Sequence, residues 1–291
     1  MASRKIVSFD WAIKNILRDK ANYDVLEGFL LALLKEKIEI TDIVESESNQ
    51  DNKMMKFNRV DILAINSKGE HIIIEVQYSP EQNYFKRLLY GTSKDIVDNI
   101  QVGEDYLSVK KVYSISLIYF DVEAKSEGLE SSDRDYVYHG KVEFTGLHNG
   151  NKVKINPTFL VGYDKIKKDD INIFPEYFII PLELFNDAIN DDLDEWIYAF
   201  KHHEVKEEFK ATGIKELGEK LDYISMDAEQ QRRYNKYLED LASDRGTLEL
   251  AELKAEKKNS FKIARNLKEL NAPIDMIIKA TGLSKTEIEE L

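Results

Sequence analysis

The chain has 291 residues, 43% of them apolar, no cysteine and a formal charge of −13. That length buries a full core and fits about two domains, or one domain with a helical extension. The absence of cysteine excludes disulfides, thiolate zinc sites and cysteine nucleophiles, so a metal would rest on oxygen or histidine ligands. The acidic balance argues against a general nucleic-acid coat, because binding to phosphate rests on Lys and Arg. Residues 1–121 hold 16 Lys and Arg against 19 Asp and Glu, whereas 122–291 hold 25 against 35, which leaves room for a local basic groove in the amino-terminal part. No apolar run approaches the roughly 20 residues of a membrane span, and Met1-Ala2-Ser3-Arg4-Lys5 lacks the apolar core of a secretory signal. The expected location is the cytoplasm, with no membrane partner.

From Asp10 to Leu34 the apolar residues Ile13, Ile16, Leu17, Val25, Leu26, Phe29, Leu30, Leu33 and Leu34 recur at helical spacing, with a break expected around Ala21-Asn22. Ile38 to Glu47 alternates as a strand, and Gln50-Asp51-Asn52-Lys53 is a polar loop. Arg59–Asn66 and Glu70–Tyr78 read as a β-hairpin joined through Asn66-Ser67-Lys68-Gly69. Glu81 to Gln101 is helical, with Phe85, Leu88, Leu89, Ile96, Val97 and Ile100 on its apolar side, and Lys111–Phe120 is apolar enough for a buried central strand. The polar stretch after Asp121 reads as a linker, Tyr136–Phe144 and Tyr177–Pro181 as accessory strands, and Asp187–Lys210 and Met226–Leu270 as charged helices. This predicts an α/β core over 1–121, accessory strands and loops over 122–185, and a helical region over 186–291.

The hairpin carries one acid on each strand, Asp61 and Glu75. At the far ends of a short-turned antiparallel pair, two such carboxylates lie side by side and can converge on one ion. The carbonyl of Val76 offers a further oxygen, and Gln77 shares a strand face with Glu75, where an amide can orient a water but cannot act as a base. Glu27 flanks the apolar stripe of the first helix, where a role at a helix boundary competes with one at a metal. Lys86, Arg87 and Lys94, interleaved with aromatics at the start of the following helix, are candidates for phosphate contacts. Asp10 and Lys14 read as a surface ion pair at i, i+4, and the adjacent His202 and His203 point apart on a helix and make a poor metal pair.

Together these blocks resemble the PD-(D/E)xK nuclease superfamily, specifically its recombination-promoting nuclease or transposase branch. The likeness is carried by Asp10-Trp11-Ala12-Ile13-Lys14, Asn22 to Leu30, Phe57-Asn58-Arg59-Val60-Asp61-Ile62-Leu63, Ile74-Glu75-Val76-Gln77 and Arg87 to Lys94, and further on by Tyr136 to Gly140 and Leu193 to Tyr198. The resemblance implies a restriction-endonuclease-like αβββαβ core, with Asp61 and Glu75 holding Mg²⁺ or Mn²⁺, Glu27 assisting, and Gln77 standing where the superfamily has lysine. It also implies DNA as partner and hydrolysis of a phosphodiester by a metal-bound water, in a recombination or mobile-element setting. The competing reading is a nuclease-like fold that no longer cleaves and acts as a scaffold. At the carboxy terminus, Ala280 to Leu291 resembles the turn of a helix-turn-helix, with Gly282 in the turn and Ser284 as cap. Its final helix is acidic, so packing or homo-oligomerisation through the C-terminal helices is the expectation there rather than DNA reading.

Overall fold

The computed structural model describes residues 3–44, 61–100, 106–122, 134–153 and 172–291. The amino-terminal apolar pattern forms two helices, α1 (Phe9–Asn15) and α2 (Tyr23–Leu34), preceded by a short strand β1 (Ser3–Lys5). The break expected at Ala21-Asn22 is a 3-10 turn over Lys20–Asn22, where the Asp19 carboxylate accepts the Ala21 N–H at 3.0 Å. Asp10, expected at the surface, is only 4% exposed.

Strands β2 (Ile40–Val44), β3 (Ile62–Asn66), β4 (His71–Gln77), β5 (Val112–Ile118), β6 (Tyr138–Gly140) and β7 (Glu176–Pro181) make one sheet in the order β2-β3-β4-β5-β7-β6. The β3–β4 hairpin closes as its sequence requires. The Asn66 side-chain oxygen accepts from the N–H groups of Lys68 and Glu70, and Gly69 takes a positive φ of 73° that suits glycine. Strand β4 pairs antiparallel with β3 and parallel with β5, and β5 pairs parallel with β7. Every residue of β5 is buried, as expected of a strand with neighbours on both edges and cover on both faces.

Helix α3 (Tyr84–Asp98) covers one face of this sheet. Tyr84 and Leu88 pack with Ile118 and Phe120, Ile96 packs against Ile73 and Val112, and the buried His71–Asp95 pair (2.8 Å) and the Thr92–Tyr177 hydrogen bond (2.7 Å) fix the helix along β4 and β7. The other face carries Ile62, Ala64, Ile72, Ile74, Ile115, Leu117 and Ile180, none more than 1% exposed. Around Phe9, Phe29, Trp196 and Phe200, helices α1, α2 and α4 (Asp192–His202) build an aromatic cluster, with Phe9 and Phe200 ring centroids 4.1 Å apart. A short strand β8 (Glu204–Lys206) pairs with β1, and α5 (Ile214–Lys220) completes this unit.

The αβββαβ core is thus present as α2, β2, β3, β4, α3 and β5. The supposed accessory strands extend the same sheet, so the boundary expected at 121 falls inside one compact unit, residues 1–227, and a second unit spans 228–291. The polar loop at 50–53, the strand start at 59–60 and the linker-like stretch at 123–128 lie outside the described residues.

The second unit is a long helix α6 (Ala228–Glu269) followed by α7 (Ile274–Thr281) and α8 (Lys285–Glu289). Its core joins Ala264, Ile277, Leu283 and Ile288. The expected turn is there: Gly282 has φ +68°, and Ser284 caps α8 in a reciprocal box with Glu287.

Candidate active site

The register of the hairpin decides the site. Ile62 pairs with Ile74 across β3 and β4, so one step further sets Asp61 opposite Glu75. Residues opposite one another in an antiparallel pair share a sheet face, with Cβ atoms about 4.5–5.5 Å apart. The Asp61 carboxylate accepts the N–H of Val76 at 2.7 Å, which draws it onto the β3-facing edge of β4, one residue before the first residue of β3. Because N–H and C=O of one strand residue leave on the same side, the Val76 carbonyl also faces that edge, while the Gln77 carbonyl accepts the N–H of Tyr119, the residue after β5, at 3.0 Å.

Glu75 is 5% exposed. Burial pushes its carboxyl above the usual carboxylate range, Arg87 opposes this, and the neighbouring Asp61 charge adds to the rise. Arg87, one turn into α3, donates to Glu75 Oε2 at 3.0 Å and also pairs with Glu81. Tyr84, on the same helix, lies buried near Glu75 and Ser116, and burial lifts its phenol to about 12. A cation that the sequence did not single out, Arg18, donates from Nη2 to the backbone oxygen of Asp61 at 3.3 Å. It sits in the polar run Arg18-Asp19-Lys20, where nothing in the spacing marks it.

The other expected residues are placed less centrally. Glu27 does not join the pair: its Oε1 accepts the Ile40 N–H at 2.8 Å, and Ile40 lies opposite Asn66 at the turn end of the hairpin. Asn66 is five residues from Asp61, on the order of 17 Å along an antiparallel strand. The carboxylate ties α2 to the first residue of β2, so Glu27→Ala is expected to lower stability by about 1–2 kcal/mol in urea denaturation and to leave Mn²⁺ affinity unchanged in a titration. Gln77 shares the Glu75 face, but its amide nitrogen donates to Ser79 O at 3.1 Å. Lys86 is exposed, and Lys94, two turns past Arg87, pairs with Asp98.

The donors at the pair are all oxygen, which suits a hard divalent cation such as Mg²⁺ or Mn²⁺. A buried carboxylate whose pKa is raised by burial and by a neighbouring acid is a setting that such a cation relieves. Asp61, Glu75 and the Val76 carbonyl are therefore the residues that would hold it. Among the described residues no group of three or more His, Asp or Glu is placed around one ion, so water and substrate oxygens would complete the shell.

The model of a family described as PD-(D/E)XK nuclease family transposase matches residues 7–138. That segment contains Asp61, Glu75 and Arg87, and over it the chain is similar to this family, whose restriction-endonuclease-like fold agrees with the αβββαβ order of the sheet and helices. No curated protein and no solved structure matches the chain. No helix among the described residues is long and apolar enough to cross a membrane.

Proposed function

We propose that this protein is a divalent-metal-dependent endodeoxyribonuclease that hydrolyses DNA phosphodiester bonds in a recombination or mobile-element setting, with Mg²⁺ as its natural ion. The observation that supports this most is the side-by-side placement of Asp61 and Glu75, with the Asp61 carboxylate fixed by the Val76 amide. A bound cation would supply an activated water and take charge from the phosphate. Asp61, Glu75 and the Val76 carbonyl would hold it, and Gln77 would orient water or a phosphate oxygen without accepting its proton. In place of the superfamily lysine, the guanidiniums of Arg18 and Arg87 supply positive charge around the pair, and Arg18 rests on a neutral carbonyl rather than a carboxylate. The same reading puts the protein in the cytoplasm and gives the helices of 228–291 a role in self-association.

A plasmid-nicking assay with Mg²⁺ tests the reading. Asp61→Ala and Glu75→Ala are each expected to reduce nicking by more than about 100-fold, the loss already produced by removing outer partners of a metal ligand. Nicking that persists unchanged in both variants would overturn it, and parallel reactions with RNA and small phosphodiesters fix the substrate class. The Arg87–Glu75 pair and the engaged Gln77 amide favour a second reading, a fold that binds without cleaving. Metal-dependent turnover that disappears in Asp61→Ala rejects it.

A further inference from the structure

The charge of the chain is divided unequally between its two compact units. Residues 228–291 hold 12 Lys and Arg against 12 Asp and Glu, so the whole excess of −13 lies in residues 1–227. Within α6 the stretch 254–268 is different again, with six cations, Lys254, Lys257, Lys258, Lys262, Arg265 and Lys268, against the single acid Glu256.

At 100° per residue, Lys254, Lys258, Lys262 and Arg265 fall within an arc of about 80° and extend over about 16 Å of helix. Glu256 projects about 160° from the centre of that arc, and Glu269 lies one turn beyond it. Lys257 and Lys268 stand on another flank and are already engaged: Lys257 pairs with Glu287 at 2.9 Å, and Lys268 donates to the carbonyls of Ile288 and Glu289 at 3.0 and 3.1 Å. The four cations of the arc are exposed and have no ion-pair partner among the described residues.

We infer that this stripe is a docking surface for the phosphate backbone of DNA, separate from the acid pair and indifferent to base sequence. One strand of duplex presents a phosphate every ~3.4 Å of axis, so a cation row of this length faces several of them. Phosphate contacts of this kind set position and carry no sequence information. In a protein whose larger unit is strongly acidic, an unopposed basic row is where a polyanion is received. A lipid surface fits less well. One border of the row is Ala255, Asn266 and Asn259; on the other border Phe261 is partly buried and packs, with Ala264 and Leu267, against residues of α7 and α8 rather than standing free to enter a bilayer. The identity of the polyanion rests on the nuclease reading; the presence of the surface does not.

The test uses the full chain carrying Asp61→Asn, so that binding is read without cleavage, and a fluorescently labelled DNA duplex titrated at several salt concentrations without divalent ions. In that background, the triple variant Lys254→Gln, Lys258→Gln, Lys262→Gln is expected to bind at least about tenfold more weakly at low salt. Its slope of log affinity against log salt should be shallower by about 2–3, at roughly 0.9 for each phosphate that is no longer neutralised. The charge-preserving triple variant to arginine should bind as the parent does, and circular dichroism should show the same helix content in all three. Parent-like affinity and slope in the glutamine variant would overturn the inference, as would an arginine variant as weak as the glutamine one. A loss seen with anionic vesicles but not with DNA would reassign the stripe to a lipid surface. Nicking by the chain with native Asp61 is scored separately, so a binding surface without nuclease activity, or activity without this surface, is recognised as such.

Discussion

Replacing Arg87 with alanine is expected to lower the stability of the 1–227 unit by about 2–3 kcal/mol, a drop of about 5–10 °C in the thermal midpoint followed by circular dichroism. Glu75 is almost fully buried, and Arg87 is its ion-pair partner, so truncation leaves a carboxylate without its counter-charge in the sheet interior. The figure is below the 3–5 kcal/mol of a wholly buried pair because the Arg87 side chain is 29% exposed. The dependence on pH has a definite sign. Glu75 has its folded pKa raised by burial above the unfolded value, so its favourable contribution is fully present below the ordinary carboxylate value of about 4.3 and is lost as pH rises through the raised value. Removing Arg87 raises the folded value further. The gap between parent and variant is therefore expected to be widest at neutral pH and to close as the pH falls below that carboxylate value. A gap independent of pH would show that Arg87 acts by packing alone. Mg²⁺ or Mn²⁺ should stabilise the variant more than the parent, because the ion then supplies the missing positive charge.

The second large effect is expected at Gly28. A methyl group built there meets the Thr212 carbonyl oxygen at 2.5 Å, the Gly213 Cα at 2.9 Å and the Trp196 ring at 3.0 Å. Two backbones, that of α2 and that of the turn entering α5, approach directly, and Gly213 holds φ +83° on the other side of the contact. Neither backbone can rotate aside as a flexible side chain does. Gly28→Ala is expected to destabilise by about 3 kcal/mol, exceeding the roughly 1 kcal/mol gained in helix propensity. Gly246, in α6, has nothing within 4 Å of the corresponding position, so Gly246→Ala should change stability in the opposite direction, by about 0.5–1 kcal/mol. Chemical denaturation of both variants reads the contrast directly, and equal effects at the two positions would refute the close approach.

Local signals carry the hairpin, the interruption before Tyr23, the helix after the hairpin and the buried strand that follows it, because turn chemistry and periodicity act over a few residues. They also bring Asp61 and Glu75 together, since a short turn fixes register. What stays hidden is tertiary. The neighbour of β5 on its far edge is β7, some 60 positions later in the chain, and no local pattern states which strand a run such as Tyr177–Pro181 will join. The continuous apolar character of β5 is the available clue, since a strand buried throughout needs a partner on each side. Glu27 resembles a third acid because helical spacing says nothing about which strand end lies beneath it. Arg87 is visible as a cation near the site, but its bond to Glu75 depends on how α3 lies on the sheet. Dividing the chain at 121 assigns most of the acidic excess to the carboxy-terminal part, whereas division at Asp227 returns it to the first unit.

The insertion of β7 beside β5 has a consequence for the order in which the chain acquires shape. A ribosome that has released the family-matched stretch 7–138 has made both acids of the pair and the helix that answers them, yet the emerging protein still presents one side of β5 as a row of unpaired backbone groups on an apolar strand. Completion waits until Glu176–Pro181 has left the exit tunnel. During that interval the nascent chain is at its stickiest, and an excised 7–138 fragment would remain in that condition permanently.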